Sequence, residues 1–154
     1  MNVNKKVFIS FCDKYYKVYN KIESFLLELG LRPIIAKNEP NLGNGLDRKI
    51  ERVMKKCYSA VIICTPDVYR TEGQKSRLEP AGNVSHEVGL AQTLYKNKII
   101  YLKEKNCTLP TNFAPKVYYH FEILDEDGER VLLDEALIGI IKELKAFGIL
   151  KVKG

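Results

Sequence analysis

The chain has 154 residues, 45% of them apolar, enough for one packed domain that buries about 70% of its unfolded surface without staples. Its four cysteines, Cys12, Cys57, Cys64 and Cys107, form no C-x-x-C pair and have only two histidines to help them, so they read as reduced thiols with no metal site. The formal charge of +6 is spread along the chain, where an anionic small molecule fits it as well as a polyanion does; with no recognition-helix or aromatic RNA-binding motif and no apolar run near the ~18 residues of a membrane span, the expectation is a cytoplasmic protein with neither nucleic acid nor membrane as partner.

Short β-rich runs alternate with segments of helical period, the pattern of βαβ units and a parallel sheet. Residues 7–11 are the first strand. Val18, Ile22, Phe25, Leu26 and Leu29 then recur at helical spacing and stop at Gly30, placed as a C′ glycine. A second strand over 32–36 leads through a polar loop, 37–45, to a helix with Leu46, Ile50, Val53 and Met54 on one face. The third strand, 59–64, is followed by a connection over 65–82, far longer than the usual 2–6 residues of such loops, and its length marks it as functional. Asn83 reads as the N-cap of a helix with Val84, Val88, Ala91 and Tyr95 inward. Strands at 98–102 and 117–121 follow. The acidic turn 125–128 then opens a last helix with Leu133, Leu137, Ile140, Ile141 and Leu144 inward, ending at Gly148. Residues 1–150 form one domain on this reading, and 151–154 a tail or truncated linker.

In the doubly wound order 2-1-3-4-5 the first and third strands lie side by side where the winding reverses, and ligands bind beyond their carboxyl ends. That crevice would be bordered by Phe11, Cys12 and Asp13 after the first strand, and by Thr65, the long loop and Asn83 after the third. Glu87, one turn into the following helix, borders its apolar stripe. The helix N-terminus favours an ionised carboxylate by about 0.3–1 kcal/mol, so an anion of ordinary acidity is expected there. Phe11 is a candidate to stack on a ring of the ligand, and Arg77 in the long loop a candidate for bidentate contact with its phosphates. His86 points about 100° away around the helix and receives no role beside Glu87.

The Thr65-Pro66-Asp67 run, the variable loop and Asn83-Val84-Ser85-His86-Glu87-Val88-Gly89 resemble the bacterial Toll/interleukin-receptor (TIR) domains of antiphage effectors. Val7-Phe8-Ile9, the Leu29–Ile35 segment, the loop holding Glu39-Pro40-Asn41 and the closing Glu143–Gly148 segment extend the resemblance almost end to end. One departure is that relatives often carry histidine and glycine where this chain has Phe11-Cys12.

The resemblance implies a flavodoxin-like TIR fold with a five-stranded parallel sheet covered by helices on both faces. It also implies NAD⁺ hydrolysis at the nicotinamide–ribose bond, with NAD⁺ as substrate, no separate cofactor, and Glu87 as the catalytic carboxylate. Phe11, Cys12, Asp13, Thr65, Arg77 and Asn83 would bind the substrate. The loop with Asn41, Leu42 and Gly43 would mediate assembly into a homo-oligomer or filament, lying away from its own subunit's crevice and completing a neighbour's. Relatives commonly fuse this domain to a cyclic-nucleotide sensor. Two other readings stay open: a TIR module used only for self-association, and a deoxyribosyltransferase-like enzyme using a covalent glutamate. A phosphoacceptor receiver is rejected because strand three ends Cys64-Thr65 and not in aspartate, and a flavin site because no Ser/Thr-Gly phosphate loop follows strand one.

Overall fold

The computed structural model describes residues 5–43, 45–95, 98–113 and 117–151. Of the expected tail, only Lys151 is among them. The elements in chain order are β1 (Lys6–Ser10), α1 (Tyr16–Glu28), β2 (Arg32–Ile34), α2 (Leu46–Lys55), β3 (Ser59–Cys64), β4 (Val68–Glu72), β5 (Lys75–Glu79), α3 (Gly82–Tyr95), β6 (Ile99–Glu104), β7 (Tyr119–Ile123), β8 (Val131–Leu132) and α4 (Asp134–Ala146). The main sheet runs β2-β1-β3-β6-β7-β8. Its first five strands are parallel, as expected from the alternating pattern, and a sixth, two-residue strand adds antiparallel to β7 at the edge.

Period-two alternation divides the core into two layers. On one face Val7 and Ile9 of β1 and Val61 and Ile63 of β3 pack against Val18, Ile22 and Leu26 of α1 and Ile140 and Leu144 of α4. On the other, Phe8, Ala60, Ile62 and Cys64 pack against Ile50, Val53 and Met54 of α2 and Val84, Val88 and Ala91 of α3. Each large side chain fully buried in this way contributes about 1.5–3 kcal/mol. Ser10 continues the Phe8 side of β1, which aims it at the α2/α3 layer.

Both glycine stops hold, and for the same reason. Gly30 adopts φ +80°, with Gly30 N–H donating to Leu27 O and Leu31 N–H to Leu26 O, both at 3.0 Å. Gly148 adopts φ +82° with the matching bonds to Lys145 and Leu144. This is a Schellman closure, whose left-handed residue costs glycine nothing.

The connection 65–82 is a hairpin and not an irregular loop. β4 and β5 pair antiparallel through Gly73 at φ +62°, forming their own two-stranded sheet. Their strands are polar on both faces, so no hydrophobic alternation announces them in the sequence. Asn83 lies inside α3, which begins at Gly82, and does not cap it from outside.

Candidate active site

A cavity of about 620 Å³ opens beyond the carboxyl ends of β1 and β3, where the winding reverses. Ile9, Phe11 and Asp13 line it from β1 and the turn after it, and Ile35, Ala36 and Lys37 from the end of β2. Leu46, Asp47, Lys49 and Ile50 of α2 and Gly82, Asn83, His86 and Glu87 of α3 complete it. The volume lies within the range of small-molecule sites, and the position is the one this sheet topology favours.

Glu87 is the chemical centre. It stands with Val84, Val88 and Ala91 on the buried stripe of α3, only 7% exposed. Ser10, wholly buried at the end of β1, donates a 2.6 Å hydrogen bond from Oγ to Glu87 Oε1. The carboxyl is not an anion of ordinary acidity. Burial pushes its pKa from 4.5 up to about 7, against the Ser10 hydrogen bond, and the nearby Asp13 charge pushes the same way as burial. One turn of helix dipole is too small an effect to offset the loss of water around a carboxylate held inside the fold.

The substrate-site candidates divide by position. Asn83 lines the cavity while its Nδ2 donates to Phe11 O at 3.0 Å, fastening the start of α3 to the end of β1. Phe11 also lines it, but its ring stacks on Tyr19 at 4.4 Å and 5°, with Lys37 Nζ 5.3 Å from its centroid. The ring is built into the wall and largely engaged. Asp13 pairs with Lys37 at 2.9 Å at the mouth.

Cys12, Thr65 and Arg77 do not line the cavity. Cys12 turns toward Asp67, and burial, with Asp67 adding to it, raises its thiol pKa. Thr65 is buried and donates to Asp67 Oδ2 at 2.6 Å. Arg77 sits on β5, its Nε 3.3 Å from Glu79 and its Nη2 3.5 Å from Glu72, because hairpin pairing turns it along the ladder and away from the cleft.

Among the lining residues left unassigned from sequence, His86 and Lys49 bear directly on the chemistry. His86 lines it beside Glu87, with Nε2 2.9 Å from Asp47 Oδ1, so the contact ties α3 to α2 across the cleft. Lys49 is 7% exposed and lines the same cavity. Its signal was present in the sequence, since it adjoins Ile50 and precedes Val53 by four residues on the inward edge of α2. Among the described residues no group of three or more His, Cys, Asp or Glu is placed to hold a metal ion. Nor is any described helix long and apolar enough to cross a membrane.

The loop after β2 begins and ends beside the cavity. Ala36 and Lys37 before it and Leu46 and Asp47 after it line this subunit's own cavity. Its two ends thus border the crevice, because β2 pairs directly with β1 and α2 returns across the cleft. Asn41, Leu42 and Gly43 stand outside that lining, and Leu42 is 71% exposed.

A doubly wound, mostly parallel sheet in this strand order is the fold of a TIR domain, though it is shared by other families. The chain belongs to the family of CAP12/Pycsar effector TIR domains, whose model matches residues 6–122. It is also similar to Protein tirC of Dictyostelium discoideum, with 27% identity over 117 residues that cover 68% of this chain. The matched segment spans 58% of that relative's length.

Proposed function

We propose that this domain is an NAD⁺ glycohydrolase acting in the cytoplasm as an antiphage effector, switched on by self-assembly. The observation that carries the reading is Glu87: a buried carboxylate fixed by Ser10 and facing a cavity of about 620 Å³ at the switch point. Membership of an effector TIR family supports it.

The chemistry suits one carboxylate. As the bond from ribose C1′ to the pyridinium nitrogen breaks, its electron pair returns to that nitrogen and nicotinamide leaves neutral. No general acid is needed, and positive charge grows on the ribose. An ionised Glu87 stabilises that charge, as one carboxylate does in glycoside cleavage. Water then bonds to C1′ and gives up a proton, yielding ADP-ribose. A carboxylate with a pKa of about 7 is matched to accepting that proton near neutrality. Cyclisation would replace the water with a nucleophile of the substrate itself.

The pyridinium sets a positive charge directly beside the buried carboxylate. Substrate binding therefore favours ionised Glu87, and the carboxylate in turn selects a cationic leaving group. Incubation with NAD⁺ and chromatographic detection of free nicotinamide tests the proposal. No release above a heat-inactivated control, at protein concentrations high enough for assembly, would refute it.

A further inference from the structure

Lys49 brings an ammonium to the cavity and is paired with none of the acidic residues that line it. Its residue surface is 93% removed from solvent, being 7% exposed, and it lines the same cavity as Glu87. Among the described residues it takes part in no ion pair, whereas the cavity's other lysine, Lys37, is held by Asp13 at 2.9 Å. Asp47 and Glu51, the acidic residues nearest in sequence, are turned to His86 and to Lys55. The stem of Lys49 is buried, while its Nζ is not among the described side-chain nitrogens that are both sealed from solvent and without a partner, so the ammonium is open to an anion entering the cavity. The position is fixed by backbone, since Lys49 N–H donates to Gly45 O at 3.0 Å in the first turn of α2.

We infer that Lys49 is the phosphate-binding residue of this site, taking a phosphate oxygen of a nucleotide while Glu87 faces the ribose. This rests on the dinucleotide reading above. It also gives the phosphates a partner in place of Arg77, which is paired on the hairpin. An ammonium in a partly dry wall makes a strong charge-assisted contact with a phosphate, whereas an uncharged nucleoside gains nothing from it.

The test separates the phosphate from the rest of the ligand. Binding of ADP and of adenosine is measured by NMR titration for the parent, Lys49→Met and Lys49→Arg, with thermal midpoints recorded for each. Met matches the length of the stem and removes the charge, so its midpoint should equal or exceed the parent's; if it does not fold, Lys49→Gln takes its place. The parent should prefer ADP by tenfold or more, Lys49→Met should lose that preference to within about twofold, and Lys49→Arg should retain most of it. A preference unchanged in Lys49→Met, or no preference in the parent, overturns the assignment. In turnover of NAD⁺, Lys49→Met should raise KM about tenfold with kcat within threefold and the acid limb of kcat/KM unmoved. A shifted limb with unchanged KM would mean that Lys49 acts through Glu87 and not on phosphate. Failure of any nicotinamide release removes the hydrolase reading yet leaves the ADP and adenosine comparison to decide Lys49 by itself.

Discussion

Ser10 and Glu87 stand 77 positions apart in sequence and share a 2.6 Å buried hydrogen bond that joins the end of β1 to the inward face of α3. Ser10 pulls the carboxyl pKa down while burial pushes it up, and burial wins, leaving a value of about 7. The rate of NAD⁺ cleavage should therefore have one limb, falling on the acid side, with the limb of kcat/KM near pH 7. The limb of kcat should lie lower, because the bound pyridinium favours the ionised carboxylate. Ser10→Ala should move the kcat/KM limb to higher pH. Initial rates at subsaturating and saturating NAD⁺ between pH 5 and 9 check all three; a limb near pH 4.5 in the parent would contradict the buried-carboxylate assignment.

Glu87→Gln should lower kcat/KM by about 10²-fold or more, the scale of losing one preorganised electrostatic contact. Its effect on stability has the opposite sign. Between 4.5 and about 7 the folded state holds the Glu87 proton while the unfolded state has lost it, so stability falls as pH rises through that window. Above it the full cost of burying the anion is present, up to about 3 kcal/mol for that displacement. Glu87→Gln should thus unfold at higher temperature than the parent at pH 8, with the gap closing toward pH 4.5. Calorimetry across that range measures it; an equal or lower midpoint at pH 8 would count against the stored cost.

The five parallel strands, their order and both glycine closures were readable because each rests on local patterning: short β-rich apolar runs, helical stripes, and glycine where φ must be positive. The switch point followed from topology, and Glu87 from its place on the stripe of α3. Ser10 was invisible because its partner comes from a different βα unit, although its alternation with Phe8 already aimed it toward α3. Lys49 was hidden by a general expectation that lysines are solvated. The β4–β5 hairpin was missed because Val68–Glu72 and Lys75–Glu79 are mostly polar and exposed, and charge pairing, not an apolar face, lines up Arg70, Arg77 and Glu79. The pKa of Glu87 was misjudged because a helix dipole can be read from sequence and the depth of burial cannot.

Arg77→Ala should change the KM for NAD⁺ by less than about twofold, since its guanidinium belongs to Glu79 and Glu72 on the hairpin. Glu79 is only 7% exposed and also holds Arg70 at 3.3 Å, so loss of one arginine leaves it paired. Steady-state kinetics would settle it, and a tenfold rise in KM would bring the hairpin back to the substrate.

His86→Ala should loosen the α2–α3 closure over the cavity without removing a catalytic proton carrier. The expected signature is a KM raised about three- to tenfold, kcat within threefold, and a pH profile that keeps its single acid limb. Loss of a second, alkaline limb in the variant would instead make His86 an acid–base partner of Glu87.

The last prediction concerns assembly and starts from Leu42, which adopts φ +51° with its side chain 71% exposed. A leucine in the left-handed region carries strain of about 1–3 kcal/mol, and an exposed apolar side chain gains nothing in the monomer to offset it. The loop around it is nevertheless held: Arg52 Nη2 donates to Pro40 O, and Gly43 continues the turn at φ +72°. The result is an apolar knob displayed on a braced turn, whose flanks Lys37 and Leu46 line the subunit's own cavity. A neighbour that covers Leu42 would bury its apolar surface and press on both flanks of the site, coupling assembly to the cleft. If the contact joins two different surfaces head to tail, it need not close and can grow into a filament. The isolated domain should therefore show specific activity that rises with protein concentration or crowding. Leu42→Asp should abolish that rise while leaving the monomer as stable or more so, because aspartate tolerates the left-handed region better than leucine. Leu42→Asn, which relieves the same strain without adding charge, should lose the rise only in part. Activity and light scattering over a hundredfold dilution series test this: flat specific activity in the parent, matched by Leu42→Asp, would show that one chain completes the site.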